Sequence, residues 1–288
     1  MLQMPLYMAR MDVTSQDPLR FMKMHGLGND FVVVDARTRD VALDPVLVRA
    51  LGDRHCGVGF DQLAVLTNGP SHLHLTFYNT DASLAAACGN ATRCIARWIM
   101  DESGETTLTL TTDRGTLFAR DAGAGLTAVN MGQPLLDWAD IPLAEAMDTL
   151  ELPIEGTPTA TGMGNPHCTF FVEDAEAVDM NELGPRIEHH PLYPERTNVQ
   201  VAQMTGPDQM RMRVWERGVG MTLASGSSSC AVAVAAARRG LTGRKVAITL
   251  DGGVIEIDWR DDGVWMTGPT QHVFTGTLTA DFIARLSA

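Results

Sequence analysis

Positive charge is scarce in this chain of 288 residues. Lys and Arg together number 22 against 35 Asp and Glu, which gives a formal net charge of −13 and a pI near 4.9. Nucleic acid and anionic membrane surfaces both require a basic face on the protein, so neither is expected as a partner. An anionic group on a small substrate must therefore be bound by local positive groups.

Long apolar runs are also absent. The first nineteen residues lack the basic region followed by an apolar stretch that marks a secretory signal, and no later run has the length to span a membrane. We therefore expect residues 1–19 to form an extension ahead of a cytoplasmic enzyme.

Cysteine is sparse in this chain. Five cysteines in 288 residues are an odd number and too few for a dense disulfide framework, which indicates a reduced compartment. No Cys-x-x-Cys pair or Cys/His array suggests a zinc site, so no metal is expected. The five are Cys56, Cys88, Cys94, Cys168 and Cys230.

The composition, 45% apolar and 20% charged, is typical of a globular protein large enough for two domains. Strand-like stretches dominate, whereas helical patterns are few and include Asn90 to Asp101 and Ser227 to Arg239. This pattern predicts an α+β fold with two halves, each a sheet around one apolar helix. A last strand-like stretch, Val273 to Thr279, could return to the first half.

A short motif occurs twice. ACGNATRC contains Cys88, and the similar ASGSSSC has Ser225 at the equivalent position, 225 − 88 = 137 residues later. Each copy precedes an apolar helical run, which indicates an internal duplication with one reactive side chain donated by each half.

The motif predicts a helix N-terminus behind each reactive side chain. Unpaired backbone N–H groups and the helix dipole there can bind a carboxylate, and we expect them to lower the pKa of the Cys88 thiol towards neutrality. The pKa of a serine hydroxyl at position 225 cannot be lowered as far. No phosphate-loop Lys-Ser/Thr follows either glycine turn, so nucleotide binding is not expected.

Ten stretches of the sequence, in order, resemble the diaminopimelate epimerase family across nearly the whole chain from Phe21. They are MHGLGNDFVVVDAR, RHCGVGFDQL, FYNTDAS, CGNATRC, NMGQP, MGNPHC, PERTNV, WERGVGMT, SGSSSC and MTGPTQHVF. The family interconverts LL- and meso-diaminopimelate, a precursor of lysine and of the cell wall, without a cofactor. It uses two cysteines at the interface of two pseudo-symmetric domains.

The resemblance implies a fold with two pseudo-symmetric domains, each a mixed or antiparallel barrel-like sheet wrapped around a central apolar helix. The first domain would comprise residues 20–133 plus about 275–288, and the second would comprise 134–274. The resemblance also implies a homodimer whose ligand is a small amino acid.

Site residues follow from the same resemblance, position by position. The residues implied for catalysis are Cys88, Ser225 at the second cysteine position, His167 and Glu216. Those implied for substrate binding are Asn29, Gln62, Asn79, Gly89, Asn90, Asn165, Asn198, Glu216, Arg217, Gly226 and Ser227. Their chemistry suits a diaminodicarboxylate, because Arg217 can bind a carboxylate through two hydrogen bonds and Glu216 can accept from an ammonium.

The sequence also departs from the family pattern. Leu84 and Met221 stand where the family usually has Glu, four residues before Cys88 and Ser225, and Ala82, Ala91 and Ser228 replace usual glycines. A divergent lineage, or an engineered serine that traps an inactive enzyme, would explain this. So would a racemase or dehydratase of another amino acid, or a catalytically silent binding protein. Retention of Glu216, Arg217 and four asparagines argues against the silent protein.

Overall fold

A computed structural model describes residues 18–41, 43–85 and 88–286. The first half contains β1 Arg20–Gly26, β2 Asn29–Asp35, α1 Pro45–Gly52, β3 Gln62–Asn68, β4 Leu73–Asn79, β5 Leu84–Ala85, α2 Gly89–Ser103, β6 Thr107–Thr112, β7 Gly115–Gly123 and β8 Leu126–Asn130. The second half contains β9 Thr159–Gly162, β10 Pro166–Phe171, α3 Met180–Glu188, β11 Asn198–Gly206, β12 Gln209–Glu216, β13 Gly220–Met221, α4 Gly226–Arg238, β14 Lys245–Leu250, β15 Gly253–Arg260 and β16 Gly263–Pro269. β17 Gln271–Thr277 and α5 Ala280–Leu286 follow.

The two halves repeat one strand arrangement. β1 to β3 pair antiparallel and then parallel, and β9 to β11 do the same. β4 pairs parallel with β6, and β12 pairs parallel with β14. Every pairing among β1 to β8 recurs with the strand numbers raised by eight, as a duplicated chain requires. Antiparallel pairing of β8 with β16 joins both halves into one sheet.

Each half wraps its sheet around one helix, α2 in the first and α4 in the second. Ile95, Ala96, Ile99 and Met100 of α2 are all buried, as is the Cys230–Ala236 run of α4. A helix mostly surrounded by sheet buries most of its circumference, which explains why both segments are rich in apolar residues. Across the described residues, no helix is long and apolar enough to cross a membrane.

The structure confirms the predicted α+β class with two similar halves. It also confirms that the last strand returns to the first half, because β17 pairs antiparallel with β1. The proposed extension lies largely outside the described residues, but Leu19 is buried and its carbonyl accepts from the backbone N–H of Leu278. Leu19 therefore already packs with the first half. The domain boundaries given above stay predictions.

Candidate active site

A cavity of about 980 Å³ is lined by residues of both halves. Every site residue predicted from the sequence except His167 lines it. They are Asn29, Gln62, Asn79, Cys88, Gly89, Asn90, Asn165, Asn198, Glu216, Arg217, Ser225, Gly226 and Ser227. A second cleft of about 990 Å³, which includes Arg120, Val254 and Pro269, contains none of them.

Cys88 and Ser225 occupy equivalent positions at the cavity wall. Each is the N-cap of its helix in an extended conformation, and neither side chain makes a capping hydrogen bond. The next residue in each copy is a glycine, Gly89 or Gly226, whose backbone packs closely on a methionine. An added Cβ would lie 2.7 Å from Met131 Cε at Gly89 and 2.9 Å from Met266 Sδ at Gly226. The backbone N–H groups of both helix N-termini are consequently available to an anion in the cavity.

The pKa of Cys88 differs from the sequence-based expectation. Its thiol is half-buried, and burial raises its pKa to about 12, although the backbone N–H groups of Ala91 and Asn90 act to lower it. The negative charge of Glu216 raises the pKa further. The expected lowering of the Cys88 pKa towards neutrality is therefore wrong, because a thiol with a raised pKa is protonated at neutral pH.

Ser225 is paired with a carboxylate. Its Oγ donates to Glu216 Oε2 at 2.9 Å, and Thr222 Oγ1 donates to Glu216 Oε1 at 2.6 Å. Burial raises the pKa of Glu216, and these two hydroxyl hydrogen bonds partly offset the rise. The hydroxyl proton of Ser225 thus points at a carboxylate oxygen with increased proton affinity.

Amide side chains line the first-half wall. Asn29 Nδ2 donates to Asp61 Oδ2 at 2.7 Å, and Asn29 Oδ1 accepts from Asn90 Nδ2 at 3.1 Å. Gln62 Nε2 donates to Asn79 Oδ1 at 3.2 Å. These bonds hold the amides at the ends of neighbouring strands, where each still has unused donor or acceptor capacity for a ligand.

Asn198 organises the second-half wall. It is almost fully buried, its Nδ2 donates to the Pro166 carbonyl at 2.9 Å, and its Oδ1 accepts from the backbone N–H of Arg217 at 2.9 Å. Arg217 Nη1 donates to the Glu195 carbonyl at 3.0 Å. Only part of the five-donor guanidinium is used by this contact, which leaves N–H groups for a carboxylate.

His167 lies behind the cavity wall. It is fully buried, and burial together with the charges of Arg217 and Arg114 lowers its pKa to about 3. Its Nε2 lies 2.9 Å from Asn165 Oδ1. The expectation that His167 acts directly on substrate is not met by this placement, because Asn165 stands between the imidazole and the cavity.

Arg114 is a cavity residue that the sequence did not reveal. It lies in the turn between β6 and β7, and its guanidinium packs so closely on Gly164 that a Cβ there would be 2.4 Å from Arg114 Cζ. Its side chain makes no hydrogen bond or ion pair with another residue in the described part of the chain. In the sequence, Asp113-Arg114-Gly115 resembles an ordinary hairpin turn, so only the tertiary structure shows the residue facing the cavity.

Comparison with protein families gives a match over most of the chain. The family described as diaminopimelate epimerase matches residues 21–136 and 159–273. Among curated relatives, the diaminopimelate epimerase of Rhodospirillum centenum is 54% identical over 269 residues, which are 90% of this chain and 92% of the relative. That of Acidiphilium cryptum is 47% identical over 271 residues, 92% and 98% of the two chains.

Solved structures extend the likeness to the fold. A PhzF-family phenazine biosynthesis protein from Bacillus anthracis has a TM-score of 0.67 at 13% identity and covers 92% of this chain and 100% of its own. A probable proline racemase from Agrobacterium radiobacter has a TM-score of 0.68 at 13% identity, with coverage of 91% and 93%. At such identities the likeness concerns the fold alone.

Proposed function

This chain belongs to the diaminopimelate epimerase family, and we propose that it interconverts LL- and meso-2,6-diaminopimelate without a cofactor. The observation that carries the proposal is the pair of helix N-caps, Cys88 and Ser225, on the wall of one cavity that also contains groups of both charges. The family membership and the cavity together favour this reaction over a racemase or dehydratase of another amino acid.

The reacting carboxylate binds at the helix N-termini. Backbone N–H groups at Gly89-Asn90 and Gly226-Ser227 receive it and spread the negative charge that develops when the α-proton leaves. Such donors take the place of the electron sink that a cofactor would supply. Removing one donor of this kind in other enzymes lowers the rate by about 10² to 10³.

Charged side chains meet both ends of the substrate. The guanidinium of Arg217 pairs with the distal carboxylate. Glu216 contacts Ser225 and so lies at the reacting end, where it accepts from the α-ammonium with the lone pairs that its two hydroxyl partners leave free. Asn29, Asn79 and Asn198 supply the remaining donors and acceptors.

The protonated thiol of Cys88 sets the direction of the first turnover. Ser225 Oγ accepts the α-proton while its own proton passes to Glu216 Oε2, 2.9 Å away. The protonated thiol of Cys88 then gives its proton to the opposite face of the carbanion. Glu216 ends protonated and Cys88 ends as a thiolate, which is the state required for the reverse reaction.

The serine makes this relay slow. An alcohol is a much weaker acid than a thiol. Even beside Glu216, the pKa of the Ser225 hydroxyl is therefore far from the value at which proton transfer is efficient. We therefore infer an epimerase whose turnover Ser225 impairs, while the binding groups stay in place.

Assembly and location are parts of the same proposal. We infer a cytoplasmic enzyme of lysine and cell-wall precursor biosynthesis that forms a homodimer. All five cysteines are free thiols, in keeping with a reduced compartment. β17 pairs with β1 alone among the described strands and exposes Val273 and Phe274, which offers an apolar strand edge to a second copy.

Incubation with LL-diaminopimelate in deuterated water tests the proposal. We expect slow appearance of meso product that carries α-deuterium, because the proton delivered to the carbanion comes from a group that exchanges with solvent. If diaminopimelate binds and takes up α-deuterium but its configuration is not inverted, the enzyme removes and returns the proton on one face only, and the epimerase proposal is overturned. Absence of binding, with turnover of another amino acid, would favour the racemase or dehydratase alternative.

A further inference from the structure

Four fully buried polar side chains meet behind the cavity wall: His167, Thr169, Gln200 and Ser228. Parallel pairing of β10 with β11 places His167 opposite Asn198 and Thr169 opposite Gln200. Because side chains alternate along a strand, those of His167, Thr169 and Gln200 lie on one face of the sheet. Helix α4, which contains Ser228, packs against these strands. A buried polar cluster is costly unless all its groups are paired, so its hydrogen bonds define what it does.

Gln200 is the centre of this cluster. Its Oε1 accepts from Thr169 Oγ1 at 3.2 Å, and its Nε2 donates to Ser228 Oγ at 3.0 Å. The same Nε2 lies 3.1 Å from His167 Nδ1. An amide nitrogen has two hydrogens and accepts no hydrogen bond, so both of its N–H groups are used and Nδ1 must be the acceptor.

The proton of the neutral imidazole is then on the other nitrogen. His167 Nε2–H donates to Asn165 Oδ1 at 2.9 Å, which occupies the amide oxygen of Asn165. The amide nitrogen of Asn165, Nδ2, donates instead to Ser227 Oγ at 3.4 Å, and both residues line the cavity. The orientation of one amide in the core thus determines which end of another amide faces the ligand.

We propose that Gln200, with Ser228, is a positioning residue that fixes His167 as its Nε2–H tautomer and so presents the amide N–H of Asn165 to a substrate carboxylate. The inference rests on the proposed function only for the identity of that carboxylate. Neither Gln200 nor Ser228 lines the cavity, so both act through His167 and Asn165.

Charge around the imidazole supports a neutral ring. The positive charges of Arg217 and Arg114 act on His167 and add to burial in opposing a second proton on it. Any other protonation state of the ring would break at least one of the two hydrogen bonds that His167 makes with Gln200 and Asn165. A protonated Nδ1 would meet the N–H group of Gln200, and an unprotonated Nε2 would meet the oxygen of Asn165.

Nitrogen-15 NMR of the histidine side chains reads the tautomer directly, without substrate. We expect the His167 ring to show one protonated nitrogen, Nε2, with no titration from about pH 6 to about pH 9. The resonance is assigned by its loss in His167→Gln, or by Overhauser contacts to Gln200 if that variant does not fold. A protonated Nδ1, or titration near pH 6.5, would overturn the inference.

Two variants of Gln200 test the link to binding. Gln200→Glu places an acceptor at Nδ1, so a second ring N–H should appear there. Gln200→Met removes the donor, and we expect KM for diaminopimelate to rise about tenfold with a smaller change in kcat. Gln203→Met, the same change three residues along β11, is the matched control, because Gln203 Oε1 accepts from Ala175 N–H and not from this cluster.

The two proposals fail in different ways. If the Nε2–H tautomer is found but diaminopimelate does not bind, the function is wrong and the positioning role stands. If epimerisation occurs while Gln200→Met and Gln200→Glu leave the tautomer and KM unchanged, the positioning role is wrong. Should Gln200→Met fail to fold, the wild-type spectrum and Gln200→Glu still decide.

Discussion

Cys88 is a neutral thiol, and in the proposed mechanism this determines which proton moves first. A helix N-terminus lowers the pKa of a thiol only where solvent or paired charge also supports the thiolate. Here burial outweighs the N–H groups of Asn90 and Ala91, and Glu216 adds a like charge. In the proposed mechanism Cys88 is therefore the acid of the resting enzyme, and the base lies on the Ser225 side.

Thiol alkylation tests this protonation state. At about pH 7, iodoacetamide should modify the exposed Cys56 first and Cys88 much more slowly, because little thiolate is present when the pKa is about 12. Alkylation of Cys88 should accelerate as the pH rises. The buried Cys94, Cys168 and Cys230 should react only after unfolding. Mass mapping that finds Cys88 ahead of Cys56 at neutral pH would contradict the assignment.

Substitution of Arg217 tests the distal contact. Arg217→Met removes a charge-assisted, bidentate hydrogen bond to the second carboxylate, which contributes about 1.5 to 3 kcal/mol, so affinity for diaminopimelate should fall at least about tenfold. Arg186→Met, at an exposed position on α3, is the control. Calorimetry that finds the same affinity in both variants would argue against diaminopimelate as the ligand.

At the scale of elements, the duplicated motif predicted more than local patterns did. α2 begins within one residue of the predicted Asn90, and α4 begins within one residue of the predicted Ser227. α3 was not predicted, because Pro185 and Gly184 inside it resemble a loop. The offset of 137 would have located it, since it carries α1 Pro45–Gly52 onto the region of Met180–Glu188.

The candidate site was predictable only where side chains lie in recognisable motifs. Cys88, Ser225 and the glycines behind them follow from local sequence, because helix N-termini are local structures. Gln200 and Arg114 do not, since contacts between β10, β11 and α4, or between a turn and Gly164, depend on tertiary packing. The burial of His167 likewise appears only when the strands and α4 are assembled.

Packing of α3 gives a prediction about stability. An added Cβ at Gly184 would lie 2.4 Å from Trp215 Cδ2, a ring atom that is also anchored by the Trp215 Nε1 bond to Glu188 at 2.7 Å. Gly184→Ala should therefore destabilise the protein by about 1 to 3 kcal/mol, despite the better helix propensity of alanine. Urea unfolding measures this. Asn181→Ala, exposed on the same helix, is the control, and equal stability of the two variants would refute the packing argument.

At the scale of the whole molecule, the β8–β16 pairing makes one sheet of two similar halves and brings residues of both to one cavity. Each half contributes a central helix, an N-cap residue at the cavity wall and a glycine that permits close packing. The symmetry of the backbone is thus retained, whereas the chemistry is asymmetric, with a half-buried thiol on one side and a hydroxyl paired with Glu216 on the other.

The pH dependence of folding tests the buried histidine. An unfolded histidine titrates near pH 6.5, but His167 in the fold titrates at about 3. Between these values only the unfolded chain binds the proton, so stability falls as pH falls, by up to about 1.4 kcal/mol per pH unit for this group. His167→Gln should flatten the profile below about pH 6.5, whereas His72→Gln, at an exposed site, should not. Parallel profiles for all three proteins would contradict the assignment.

The rate of LL-to-meso conversion by Ser225→Cys, compared with the parent protein, tests the central claim most directly. If Ser225 is the second half of the proton relay, a thiol beside Glu216 should raise turnover by about two orders of magnitude, within the 10² to 10⁴ that acid–base groups supply, while substrate affinity stays nearly constant. A Ser225→Cys protein that binds diaminopimelate equally well but inverts it no faster than the parent would contradict the account.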